Sequence, residues 1–402
     1  MSDVSFEQLV ALDAEHVMQT YARLPIAFVR GDGTKLWDTD GKEYLDFLAG
    51  LAVVSLGHAN PEVAEAIATQ ASTLVHVSNL YYNERQPQLA AVIDGLLTEA
   101  TGAPGKVFFT NSGAEANECA IKVARRYGQA NGGRERFHVV SAYNSFHGRT
   151  LTTLAATGQP QKQETFQPLP EGFRQVAFGD LDALAAALDG RACAVMLEPI
   201  QGEGGVEPAP PGYLEAVRAL CDEREVLLLV DEVQTGLART GRWFGFEHGG
   251  DVRPDVVTMA KALGNGIPIG ACWARRDVAD ALQAGDHGST FGGQPLAAAA
   301  ALKTLEIMQR DDLVRRAHEK GEDLAKRLGA VDGIEAVRGA GLLLGAELRP
   351  ASDSRAVMLA CLDRGLVVNA VTPTALRLAP PLLVTDDEIE QAVAIVEEVL
   401  AS

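Results

Sequence analysis

The chain has 402 residues, 47% of them hydrophobic and 22% charged, which is the balance of an ordinary globular enzyme large enough for two domains or one large domain with a smaller one appended. A formal net charge of −19 sets it against nucleic-acid backbones and anionic membranes and leaves small molecules as the expected partners. The five cysteines (Cys119, Cys193, Cys221, Cys272 and Cys361) are far apart, show no Cys-x-x-Cys spacing, and read as reduced core thiols with no metal expected.

The acidic segment Met1–Glu15 lacks the basic-then-apolar order of a secretory signal. No apolar run approaches the ~20 residues of a membrane span, so the expected compartment is the cytoplasm. From Ile26 to Phe47, apolar and polar residues alternate around the turn signals Gly31-Asp32-Gly33 and Asp38-Thr39-Asp40-Gly41, which predicts a small antiparallel meander. From about Pro61 to Ala281, short apolar strands alternate with amphipathic helices. The strands are predicted at Val107–Thr110, His138–Ser141, Ala194–Glu198, Val226–Asp231 and Val256–Met259, and their unbroken apolar character suits a mostly parallel sheet covered on both faces. After Pro295, helices are predicted over Ala297–Met308 and Leu313–Leu328, strands over Val337–Leu348, Leu366–Val368 and Ala375–Leu378, and a closing acidic helix over Asp386–Leu400. This last third reads as a second α/β layer that the N-terminal meander can join.

The chemistry-bearing residues follow the strands, where loops line the ligand crevice of a parallel sheet. Val107–Thr110 leads into Asn111-Ser112-Gly113-Ala114 and a helix, an arrangement that serves either as a phosphate cup or as an ordinary helix cap. In the next loop, Phe146 can cover a flat ring and Arg149 can grip a carboxylate, the plainer reading being a packed aromatic and a surface arginine; His147 taken alone reads as a structural hydrogen-bonder. Glu198 and Glu203 lie five residues apart, and the Gly-rich spacing around Glu203 suits a mobile loop better than a fixed acid/base pair, with Glu203 as the partner of a substrate-site arginine. Asp231 ends an apolar strand, where a carboxylate is costly unless paired; a pyridinium nitrogen or a core network would supply the pair. Lys261 ends the apolar run Val256–Ala260, which favours burial and a lowered pKa. A buried amine and a buried anion at successive strand ends are what pyridoxal phosphate requires.

Leu56-Gly57-His58-Ala59-Asn60-Pro61, Asn111-Ser112-Gly113-Ala114-Glu115-Ala116-Asn117, Phe146-His147-Gly148-Arg149-Thr150, Glu198-Pro199-Ile200-Gln201-Gly202-Glu203, Asp231-Glu232-Val233-Gln234-Thr235-Gly236, Lys261 and Gly288-Ser289-Thr290-Phe291-Gly292-Gly293 occur in this order. Together they resemble the motifs of the class III aminotransferases, within pyridoxal-phosphate fold type I, over Tyr21 to about Val384. The resemblance implies a large α/β domain with a mostly parallel seven-stranded sheet and a smaller α/β domain built from both termini, divided as 1–60, 61–290 and 291–402. It implies pyridoxal 5'-phosphate as cofactor, with Ser112, Gly113 and Ala114 on the phosphate, Phe146 on the ring face, and His147 in the same site. Asp231 would then pair with the pyridine nitrogen, Gln234 would contact the ring hydroxyl, and Lys261 would be the catalytic amine. Thr290 would complete the phosphate site from the other subunit of a homodimer. Arg149, Glu203, Arg377 and Ser289 would form the substrate site, with Arg377 masked by Glu203 at rest. Ala114, where many relatives carry Thr, costs the cup one hydroxyl contact.

Leu48-Ala49-Gly50-Leu51-Ala52-Val53 and Ala375-Leu376-Arg377-Leu378-Ala379-Pro380-Pro381 are most similar to the acetylornithine aminotransferase branch of arginine biosynthesis. That likeness implies transfer of the terminal amino group of N2-acetyl-L-ornithine to 2-oxoglutarate, giving N-acetyl-L-glutamate 5-semialdehyde and L-glutamate. Ornithine, succinylornithine, 4-aminobutyrate and carrier-linked lysine stay open as alternative donors.

Overall fold

Seven strands form the central sheet in the order Gly105–Thr110, Gly270–Arg275, Val256–Met259, Leu227–Asp231, Ala192–Leu197, His138–Ala142, Phe173–Val176. The computed structural model describes residues 5–350 and 352–402, so Met1–Val4 of the acidic N-terminal segment lie outside the described residues. Every residue of Ala192–Leu197 and Leu227–Asp231 is buried, because helices cover both faces of the sheet and no solvent-facing polar alternation survives. Gly270–Arg275 runs antiparallel to both its neighbours, and the other pairings are parallel. Sequence reasoning missed this strand and Phe173–Val176. Gly270-Ala-Cys-Trp-Ala-Arg has no β-branched residue, and its place is set by pairing with chain far away rather than by local preference.

The helix Gly113–Gly132 starts where Ser112 Oγ accepts the backbone N–H of Glu115 at 3.2 Å, and it buries Ala116, Asn117, Cys119, Ala120 and Val123 under the sheet. Pro295–Arg310 extends the predicted Ala297–Met308 helix by two residues at each end, with Gln294 as cap and proline at the first turn, and its buried Ala297–Ala301 face lets it lie close against Pro61–Thr73 and Arg85–Thr101. The closing helix spans Asp386–Leu400 as predicted, capped by Thr385 and Glu388.

The meander forms as Phe28–Asp32, Lys35–Asp38 and Glu43–Asp46, and Leu366–Val367 adds to it in parallel, so the two ends of the chain share a sheet. Two predicted strands are corrected. Val337–Leu348 is a hairpin of Ile334–Ala340 and Leu343–Leu348, turned at Gly341 with φ +52°, where a Cβ would lie 2.8 Å from the Arg239 carbonyl oxygen. After Leu366–Val367 the chain starts a separate strand, Asn369–Thr372, antiparallel to Ala375–Leu378. Helices Phe6–His16 and Ser354–Asp363 were not foreseen. All five cysteines are free and buried, and no helix among the described residues is long and apolar enough to cross a membrane.

Candidate active site

Six parallel strands finish at one edge of the sheet, and the residues that follow five of them converge there. Ser112, Gly113, Ala114, Phe146, His147, Arg149, Glu198, Glu203, Asp231, Gln234 and Lys261 line one cavity of about 370 Å³.

Lys261 is delivered by a sharp break in the chain. Val256–Met259 ends, Ala260 takes φ −160° and ψ −128°, and Lys261 itself has φ +34°, a backbone state a side-chain-bearing residue rarely adopts. The residue is half-buried, yet protein surrounds its amine. Loss of hydration and then the positive charge of Arg377 pull its pKa down to about 8, against the opposing pull of Glu203, Asp231 and Glu198.

Asp231 is 4% exposed and held from three sides. Its Oδ2 accepts Asn117 Nδ2 at 2.7 Å and His147 Nδ1 at 2.9 Å, and its Oδ1 accepts the Val233 N–H at 3.0 Å. Asn117 is oriented in turn by Thr258 Oγ1, which donates to Asn117 Oδ1 at 2.6 Å. Burial alone would lower the pKa of His147, but the hydrogen bond and charge of Asp231 outweigh it and the pKa is raised; His147 Nε2 has no partner. Burial pushes Glu198 up to about 7, where it accepts the Phe146 N–H at 3.0 Å.

At the cup, Asn111 N–H donates to Glu115 Oε2 at 2.8 Å while Ser112 caps Glu115, so the turn is locked at the start of the 20-residue helix. A Cβ on Gly113 would stand 2.7 Å from Val233 Cγ1, and one on Gly148 would stand 2.7 Å from Ala114 Cβ. The cup, the Phe146 loop and the segment after Asp231 are therefore pressed together. The Arg149 guanidinium lies 5.5 Å and the Lys162 amine 5.3 Å from the Phe146 ring centre, two cations at the mouth.

Arg377 stands behind the wall formed by Glu203 and Gln234 and is 1% exposed. Its Nη1 donates to Glu203 Oε1 at 2.7 Å, and its Nη2 donates to Asn369 Oδ1 at 2.8 Å. Burial would raise the pKa of Glu203, but the Arg377 charge and hydrogen bond reverse that and lower it.

Ser289 and Thr290 do not reach this cavity. They line a neighbouring one of about 780 Å³, connected to the first through Asn111, whose Nδ2 lies 3.3 Å from Ser289 Oγ. The residues that sequence reasoning gave no role are Asn117, Thr258, Asn369 and Lys162. A signal existed for Asn117, a polar residue on the apolar stripe of an amphipathic helix. For Asn369, whose bond crosses to another strand, there was none.

A family model for aminotransferase class III matches residues 17–400. The chain is a class III aminotransferase. This aminotransferase is 46% identical to an acetylornithine aminotransferase from Caldanaerobacter subterraneus over 397 residues, covering 98% of this chain and 99% of that one. The ornithine aminotransferase from Toxoplasma gondii, solved with partial occupancy of PLP at its active site, superposes with a TM-score of 0.93 at 35% identity over 99% of this chain and 94% of that one. An acetylornithine aminotransferase from Elizabethkingia anophelis gives a TM-score of 0.85 at 34% identity, covering 98% and 99%.

Proposed function

We propose that this aminotransferase uses pyridoxal 5'-phosphate to move the terminal amino group of N2-acetyl-L-ornithine to 2-oxoglutarate, yielding N-acetyl-L-glutamate 5-semialdehyde and L-glutamate. The observation that carries the reading is a buried arginine paired with a carboxylate, beside a lysine whose amine is enclosed and a fixed aspartate.

The donor set fits the cofactor. The cup offers backbone N–H groups at the positive end of a long helix for a phosphate, and Gln234 Nε2 is a buried donor without a partner that would meet the ring hydroxyl. Phe146 would cover the ring and Asp231 would hold the pyridine nitrogen protonated. When bound, the cofactor supplies an aldehyde that accepts amines and a ring that stores the electron pair released at the substrate carbon. The chain then has three tasks. Lys261 Nζ takes the proton from the amine-bearing carbon and later returns one, work for which a pKa near 8 is well matched. Arg149 holds a substrate carboxylate at the mouth. Glu203 masks Arg377 for acetylornithine and releases it for the second carboxylate of glutamate or 2-oxoglutarate, so one pocket serves a neutral and an anionic group in turn.

Glu203→Ala is expected to raise the rate of the glutamate half-reaction relative to the acetylornithine one by about tenfold, the scale of one modest interaction. Equal changes in both, followed by the visible absorbance of the cofactor, would remove the masking role.

The homodimer belongs to this reading. Leu80, Tyr81, Tyr82 and Phe291 are 85%, 67%, 104% and 60% exposed, an apolar patch that a second copy would cover. It adjoins exposed Thr290, which would then complete the phosphate site of the other subunit. Sedimentation at micromolar concentration is expected to give a dimer, and a monomer with full activity would overturn the shared site. The free thiols suit the cytoplasm.

The test of the substrate is to mix the purified coloured enzyme with N-acetylornithine, ornithine or 4-aminobutyrate, without a keto acid. Fastest loss of visible absorbance with N-acetylornithine, restored by 2-oxoglutarate, is expected. A faster rival amine would keep the chemistry and replace the donor.

A further inference from the structure

Arg377 is held at both ends of its guanidinium, and the two ends differ in charge. Glu203 Oε1 shares Nη1 with the Gly202 carbonyl oxygen and Gln234 Oε1, each at 3.2 Å, whereas Asn369 Oδ1 takes Nη2 at 2.8 Å. Asn369 faces Arg377 directly across two antiparallel strands, so its position is fixed by the sheet and not by a mobile loop. Glu203 is the accessible partner, its side chain 32% exposed against 1% for that of Arg377.

The consequence is electrostatic. When Glu203 moves away, Asn369, Gly202 and Gln234 still supply neutral oxygens that keep the guanidinium in plane, but none cancels its charge. A carboxylate in the place of Asn369 would keep Arg377 neutralised whatever Glu203 does. In a buried site a like-charged substrate group would then meet an anion already paired.

We propose that Asn369 is a specificity-determining positioning residue: by holding Arg377 through a neutral oxygen, it leaves Glu203 alone to decide whether the pocket accepts a second carboxylate. This rests on the Arg377 and Glu203 reading given above. Asn369 lies outside the cavity lining and acts through Arg377.

The test compares Asn369→Asp, Asn369→Ala and Glu203→Gln in the holoenzyme. Asn369→Asp is expected to weaken 2-oxoglutarate, seen as a KM increase of roughly 30-fold or more, and to weaken binding of the unreactive dicarboxylate glutarate by calorimetry to a similar extent. The N-acetylornithine half-reaction should slow by no more than about threefold, and Asn369→Ala, which removes the bond without adding charge, should shift the glutarate Kd by less than about fivefold. If Asn369→Asp harms both half-reactions equally, harms neither, or behaves like Asn369→Ala, the role of Asn369 is packing and the inference fails, while selective behaviour of Glu203→Gln leaves the masking reading intact. If Glu203→Gln also acts equally on both half-reactions, the masking reading falls and this inference with it.

Discussion

Lys261→Ala is expected to lower kcat by roughly 10⁴-fold, at the upper end of what a positioned proton-transfer group contributes. Two features of the site set that size. The chain breaks at Ala260 and Lys261 to aim the amine into the cavity, and two other titratable groups that line it, Glu198 with a pKa of about 7 and His147, are tied into hydrogen bonds. Neither can take over at the substrate carbon without abandoning those partners. The loss corresponds to about 5 kcal/mol of transition-state stabilisation. Single-turnover reaction with N-acetylornithine, alongside a melting curve showing that the variant is folded, measures it. Added methylamine should recover a small part of the rate by acting as a mobile base. A variant that keeps more than a tenth of kcat would show that Lys261 is not the proton carrier.

Local pattern made the two central residues legible: Asp231 and Lys261 each close an apolar run, where an ionisable side chain needs a reason to be there. The same logic located most of the parallel strands and the loops after them, since each is a short buried stretch followed by small and polar residues. What escaped depends on pairing between distant parts of the chain. Gly270–Arg275 is a strand because Val256–Met259 and Gly105–Thr110 flank it, not because its residues prefer extended backbone. Val337–Leu348 looks continuous in apolar pattern, and its division depends on the tight approach of Gly341 to the backbone of Thr240. The residues that hold Asp231 in place were also hidden. Thr258, Asn117 and Asp231 lie on three different elements, and only their meeting turns two ordinary polar residues into the support of the aspartate.

That support makes Asp231→Asn a severe substitution despite its near-identical shape, with an expected fall in kcat of about 10²- to 10⁴-fold. Two donors, Asn117 Nδ2 and His147 Nδ1, converge on Asp231 Oδ2, and the Val233 N–H points at Oδ1. An amide has one acceptor end. Placing its oxygen toward Asn117 and His147 keeps two bonds and turns the NH₂ toward Val233, where it opposes one N–H, and a neutral amide would not hold a ring nitrogen protonated. The reverse orientation confronts two donors with a third and is worse. In either case the anion proposed to hold the proton on the ring would be gone, and the ring would store charge poorly. His147 keeps an oxygen to bond but loses the negative charge that helps lift its pKa against the effect of burial, so its imidazole should titrate lower in the variant, which nuclear magnetic resonance of the ring protons can follow. Cofactor binding should weaken less than kcat, because the cup and Lys261 are untouched. A kcat within tenfold of the unaltered enzyme, with the His147 titration lowered as expected, would separate the structural role of Asp231 from its proposed role at the ring and remove the latter.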